Sequence, residues 1–155
     1  MKHLLTCLII SVTVHDIDAS LCTTANKEKV GRVVFGEASG ESPKGQLEVA
    51  YTIVNRISHA GFPNSLDGVI DQTYTSGGKT YHHYNTLDDS GHDQRWKASK
   101  TPGAIEHAAY NSAITQAGHA LCATKSDPMS CGPHSSPILH HLRTSLDIFK
   151  RLVMR

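Results

Sequence analysis

The chain has 155 residues, with 15 Lys and Arg against 14 Asp and Glu, a formal net charge of +1 and 39% hydrophobic residues. That length fits one domain able to bury a real core without metals or many disulfides. The near-neutral balance argues against nucleic acid as the main partner, which usually demands a basic stripe. It is compatible with a weakly anionic polymer.

Lys2 and His3 precede a mostly apolar run from Leu4 to Val14, and the stretch Asp16 to Ser20 ends in small residues. This is the pattern of a secretory leader, too short to span a bilayer. Cleavage is expected after Ala19 or Ser20, giving an extracellular protein with no stable membrane association; an uncleaved anchor is the alternative. Loss of Lys2, Asp16 and Asp18 moves the formal charge from +1 to +2. Cys22, Cys122 and Cys131 remain. A Cys122–Cys131 bridge closing a short loop is expected in a secreted chain, with Cys22 left free or paired with another molecule. The chain has no Asn-x-Ser/Thr sequon.

Residues 30 to 57 are the centre of the sequence. Val30, Val33, Val34 and Glu37 follow the i, i+3, i+4, i+7 spacing of one helix face. A helix that persists to Glu37 puts a carboxylate on the stripe facing the core. Burial there disfavours the charged form and raises the pKa. A carboxylic acid protonated near neutral pH is what a departing glycosidic oxygen requires. The opposing reading is a solvated Glu at a helix end interrupted by Gly36 and Gly40. Glu41 lies one further turn along the same face. Ser42 then suits an N-cap and Pro43 the first helical position, and Leu47, Ala50, Ile53, Val54 and Ile57 form the stripe of a second helix.

A loop follows at Ser58 to Ser65, then a short apolar piece at Val69 and Ile70. Residues 74 to 93 are polar. Within them, Thr73 to Thr75 and Thr80 to Tyr84 pair as a hairpin around Gly77-Gly78. Thr101 as N-cap and Pro102 at the first position predict another helix, with Ile105, Ala108, Ala109, Ser112, Ala113 and Ala117 on one face. From Pro137, the positions Leu139, Leu142, Leu146, Phe149 and Val153 have the spacing of an amphipathic terminal helix.

The stretch Phe35-Gly36-Glu37-Ala38-Ser39-Gly40-Glu41, then Gly45-Gln46 and Asn55-Arg56, resembles the signature of the SleB-type cell wall hydrolases, the spore cortex-lytic enzymes. Phe62-Pro63-Asn64 and Gly68-Val69-Ile70 continue the resemblance in register. It implies an α+β fold, a compact lysozyme-like domain that is mainly helical with a small antiparallel hairpin or sheet. It also implies cleavage of the glycan strands of peptidoglycan, with Glu37 as the catalytic residue. In a lytic transglycosylase one Glu acts twice, protonating the leaving oxygen and then deprotonating the 6-hydroxyl of N-acetylmuramic acid. The domains expected are a leader over 1–20, the hydrolase domain over 21–132 and a divergent amphipathic helix over 133–155. The chain departs from the family at Tyr81-His82-His83-Tyr84-Asn85 and at Asp127-Pro128-Met129-Ser130-Cys131-Gly132.

Tyr81, His83, Tyr84, Asn85 and Trp96 are candidates for substrate contact, with core packing as the alternative for the aromatic side chains. Glu41 paired with Arg32 or Arg56, together with Asn55, is expected to support the turn that carries Glu37. Asp88, Asp89 and Asp93 are either a second carboxylate or a solvated turn. His82, His83, His92 and Asp93 lack the spacing of a zinc site, and no cofactor or metal is expected. The expected partner is the peptidoglycan glycan strand, and the expected state a monomer. Two rival readings stay open: a secreted carbohydrate-binding protein without turnover, and a metal-dependent hydrolase using His82, His83 and His92.

Overall fold

The computed structural model describes residues 19–129. All of the expected leader but Ala19 and Ser20, together with Cys131 and the expected C-terminal helix, lies outside the described residues. Five helices and one two-stranded sheet follow a 3₁₀ turn at Ala19–Leu21: α1 (Thr24–Ala38), α2 (Pro43–Ile57), α3 (Leu66–Ile70), β1 (Thr73–Ser76), β2 (Lys79–His82), a 3₁₀ turn at Asn85–Leu87, α4 (Ser90–Ser99) and α5 (His107–Leu121). The fold is α+β and mainly helical.

Local chemistry explains most boundaries. Thr23 caps α1 by accepting the Asn26 amide at 3.2 Å, and Ser42 caps α2 by accepting that of Gly45 at 3.3 Å, with Pro43 in the first turn. Gly77 and Gly78 both have positive φ, +58° and +75°, as a two-residue hairpin turn requires. The resulting antiparallel register pairs Thr73 with His82 and Tyr74 with Tyr81.

The core lies where α1, α2 and α5 meet. Val30, Val33 and Val34 of α1 pack with Leu47, Ala50, Ile53 and Val54 of α2 and with Ala113, Ala117, Ala120 and Leu121 of α5. Gly31 permits the α1–α5 approach, since a Cβ there would lie 2.7 Å from Ile114 Cδ1. Cys22 is bonded to Cys122, 100 residues away, and fastens the start of α1 to the end of α5. This replaces the expected Cys122–Cys131 pairing: the α1–α5 packing brings the two chain-distant cysteines together, which spacing along the sequence does not reveal.

One further expectation is corrected, and one helix is found that was not expected from the sequence. The helix predicted from Thr101 starts at His107, because Thr101 to Ala104 turn through Gly103 at φ +85°, and Ile105 is fully exposed. The polar segment after Asp88 contains a full helix, α4. Asp89 caps it, accepting the Gly91 amide at 2.7 Å, and Trp96 and Ser99 are its buried residues.

Candidate active site

Glu37 stands on the last turn of α1, on the face whose preceding members, Val30, Val33 and Val34, are completely buried. Its Oε1 is buried and, among the described residues, accepts no hydrogen bond. Burial pushes its pKa above the ordinary carboxylate value, and a hydrogen bond from the Thr86 backbone amide opposes that shift without cancelling it. The carboxyl is therefore a group that keeps its proton to higher pH than a surface Glu.

Three contacts hold this turn in place. A Cβ at Gly36 would overlap the hydroxyl and Cβ of Thr86, so only glycine lets the 3₁₀ turn close on α1 and bring its amide to Glu37. Gln46, buried on α2, donates from Nε2 to the Ala38 carbonyl at 3.1 Å. It thereby satisfies one of the carbonyls left open at the end of α1. The same side chain accepts the Ser112 hydroxyl of α5 at 2.6 Å. Gly36, Gln46 and Thr86 thus fix the acid from three elements. Gly36 and Gln46 belong to the signature but carried no assigned role, and nothing local in the sequence marks Thr86.

The support expected from Glu41 is not found. Glu41 is exposed and, among the described residues, forms no ion pair with Arg32 or Arg56. The helix ends at Ala38, which carries Glu41 off the face and out into solvent. Arg32 instead pairs with Asp93 at 3.2 Å, tying α1 to α4. Arg56 donates to the Tyr84 hydroxyl at 3.0 Å and lies over the rings of Phe62 and Tyr84. Asn55 donates to Asp127 Oδ2 at 2.8 Å, and Asp127 Oδ1 accepts the Met129 amide, so α2 anchors the Asp127-Pro128 segment.

The candidate substrate residues divide. Tyr84 and Trp96 are buried, 4% and 5% exposed, and offer no ring face to a sugar. Trp96 packs between Phe35 and Tyr110, and Tyr84 under Arg56. Burial and the neighbouring Glu37 raise the Tyr84 hydroxyl to about 12, against the opposing pull of Arg56. Tyr81 and His83 are half-buried on the hairpin, and Asn85 is exposed. Asn85 borders a concavity of about 410 Å³ that is also lined by Asp88, Asp89, Ser90 and His92. Neither Glu37 nor Thr86 is among the residues that line this hollow.

The remaining carboxylates and histidines have other partners. Asp88 accepts both the backbone amide of His82, at 2.7 Å, and its ring at 2.6 Å. Asp93 lies 2.6 Å from Lys97 as well as close to Arg32. His83 meets the edge of Tyr74, and His92 lies 3.7 Å from Asp89. Among the described residues no three His, Cys, Asp or Glu side chains gather as metal ligands.

The sequence pattern of the Cell Wall Hydrolase family matches residues 40–128. Glu37 lies three residues before that span, and Gln46, Asn55, Arg56 and Thr86 lie within it. The chain is 46% identical over 41 residues to spore cortex-lytic enzymes of Bacillus cereus and Bacillus subtilis strain 168. The same identity relates it to a spore cortex-lytic enzyme of Oceanobacillus iheyensis. Those residues are 26% of this chain but only 16%, 13% and 15% of the three relatives. No solved structure matches the chain. Because the family pattern spans more than half of the sequence, the chain belongs to the cell wall hydrolase family.

Proposed function

We propose that the protein is a secreted lytic transglycosylase that cleaves the glycan strands of peptidoglycan, with Glu37 as its acid and base. The carrying observation is the buried Oε1 of Glu37, without a hydrogen-bond partner among the described residues, on a carboxyl that meets the Thr86 backbone. In the first step the Glu37 carboxyl gives its proton to the glycosidic oxygen as the C1–O bond breaks. In the second its carboxylate takes the proton of the 6-hydroxyl, whose oxygen bonds to C1. The product carries a 1,6-anhydro ring, the acid is regenerated, and no water is consumed.

Hydrolysis normally calls on a second carboxylate near the acid. Asp88 and Asp93 are occupied by His82, Arg32 and Lys97, Asp89 caps α4, and Glu41 faces solvent. That distribution favours the one-carboxylate route. The leader pattern at Lys2 to Ser20 supports secretion. Asn85, on the rim of the hollow it shares with Asp88 and His92, is proposed to contact the strand.

The purified protein is expected to clear a peptidoglycan suspension, and Glu37→Gln to slow clearing by about 10²- to 10⁴-fold, the range for loss of a general acid. Mass spectrometry of the fragments should find anhydro ends. Reducing ends would replace transglycosylation by hydrolysis. Binding without clearing by the wild type would leave a carbohydrate-binding protein, and clearing by Glu37→Gln that fails in EDTA would assign the chemistry to a metal.

A further inference from the structure

We propose that one face of the β1–β2 hairpin is a stacking platform for a sugar ring of the glycan strand, with Tyr74 as its exposed floor. This rests on the glycan-cleaving reading and extends it from the acid to the strand beyond the scissile bond.

The hairpin contributes little to the core. Every residue of β1 is exposed, and only Tyr81 and His82 of β2 are partly covered. A two-stranded hairpin alone is marginal in water, so its own side chains must brace it. Tyr74 stands opposite Tyr81 in the register, and the two rings stack at 5.6 Å with 29° between planes. His83 meets Tyr74 edge-on at 5.6 Å and 90°. The brace leaves Tyr74 48% exposed, a large flat ring held in one orientation at the surface.

The chemistry of this face fits a carbohydrate better than a protein. Threonines, Ser76 and Lys79 complete the strands, with no aliphatic side chain to build an apolar interface. A pyranose ring instead presents C–H groups that lie flat on an aromatic face and hydroxyls that remain in water. Strand alternation places Lys79 on the same side as Tyr81 and His83, at the outer end. A cation there is placed for the carboxylates that peptidoglycan strands carry. At the inner end, burial and the nearby Arg56 push His83 below its ordinary pKa, which favours its neutral form. His83 leads directly into Tyr84, which is bonded to Arg56 and electrostatically coupled to Glu37. The platform and the acid are therefore joined by consecutive residues.

The test uses the full chain with insoluble peptidoglycan in a sedimentation assay and a soluble N-acetylglucosamine hexamer in titration. Tyr74→Ala is expected to weaken binding by about 3- to 10-fold, on the scale of one aromatic contact. Tyr74→Trp, which keeps a flat ring, should bind at least as well as wild type. Tyr74→Leu keeps an apolar strand residue without a ring and should bind like Tyr74→Ala, so the comparison survives if the alanine variant folds poorly. Binding by folded Tyr74→Leu equal to wild type overturns the platform. Glu37→Gln should retain binding while losing clearing. If it still clears, the acid assignment fails while the Tyr74 result stands or falls by itself.

Discussion

In the block of α1, α2 and α5, Val30, Val33, Ile53, Ala113 and Ala117 are fully shielded from solvent. Between Thr73 and Ser99 only Tyr84, Thr86, Trp96 and Ser99 are buried, and most of the other side chains are polar and exposed or half-buried. The first region is held by close apolar packing, which resists small displacements. The second is held by capping, ring contacts and ion pairs, each worth little when exposed. Glu37 sits on the seam, with its backbone in the first region and the Thr86 amide that meets its carboxylate in the second. On the proposed function, an acid that must stay buried profits from a rigid mount, and a surface that meets a polymer profits from polar, accessible groups. The seam itself depends on Gly36.

The largest effect expected from disturbing the packed block follows loss of its covalent clasp. The Cys22–Cys122 bridge closes a separation of 100 residues. Chain-entropy arguments assign such a loop about 4.7 kcal/mol, and removal of native disulfides commonly costs roughly 2–5 kcal/mol. Replacing both cysteines by Ser should therefore lower the denaturant midpoint strongly. Because the clasp lies on the packed block, binding of glycan by the remaining folded fraction should change little. A midpoint equal to that of wild type under oxidising conditions would show that the bridge is not formed in solution.

Next in size is the seam. Gly36→Ala forces a methyl group into Thr86, and overpacking of this kind costs roughly 1–3 kcal/mol. The side chain of Thr86 is buried, 4% exposed, and cannot simply swing aside. The 3₁₀ turn must move, and its amide leaves Glu37. Clearing activity should fall by more than the lost stability explains, measured at a temperature where the variant remains folded. Unchanged clearing by Gly36→Ala would separate Thr86 from the function of the acid.

The same division explains what could be read from the residues alone. The packed block writes itself into the chain through periodicity and caps: Val30, Val33, Val34 and Glu37 on α1, Ser42 and Pro43 opening α2, and Leu47 to Ile57 along it. The hairpin is equally legible because Gly77-Gly78 is a local signal. The strip after it is not. Its helix α4 has one large buried side chain, Trp96, and relies on partners distant in sequence: Arg32 for Asp93 and Glu28 for Lys100. No window of sequence contains both members of those pairs. The Cys22–Cys122 bridge and the Thr86 contact escape for the same reason, while Tyr84 and Trp96 show that an aromatic side chain in a polar stretch can belong to the core. Thr101-Pro102 has the composition of a helix start, but Gly103 takes a positive φ and delays the helix to His107.

The smallest effect is a dependence on pH, and it tests whether the seam really burdens the acid. The folded-state pKa of Glu37 is raised above its unfolded value, so the folded protein holds that proton more tightly. Its contribution to stability is fully present below the unfolded pKa and is lost as pH rises through the folded pKa. Above the folded pKa the ionised carboxylate is thus a cost that Glu37→Gln removes. Gln introduces its own unpaired amide hydrogens, but that penalty is the same at every pH. The difference in melting temperature, variant minus wild type, should therefore be more positive at pH 7 than at pH 4. Clearing by the wild type should decline over the same rising limb, because the first step needs the protonated acid. A difference that does not change with pH would mean the carboxyl is hydrated well enough to titrate like any surface glutamate, and the polar strip would then lie open to water all the way down to α1.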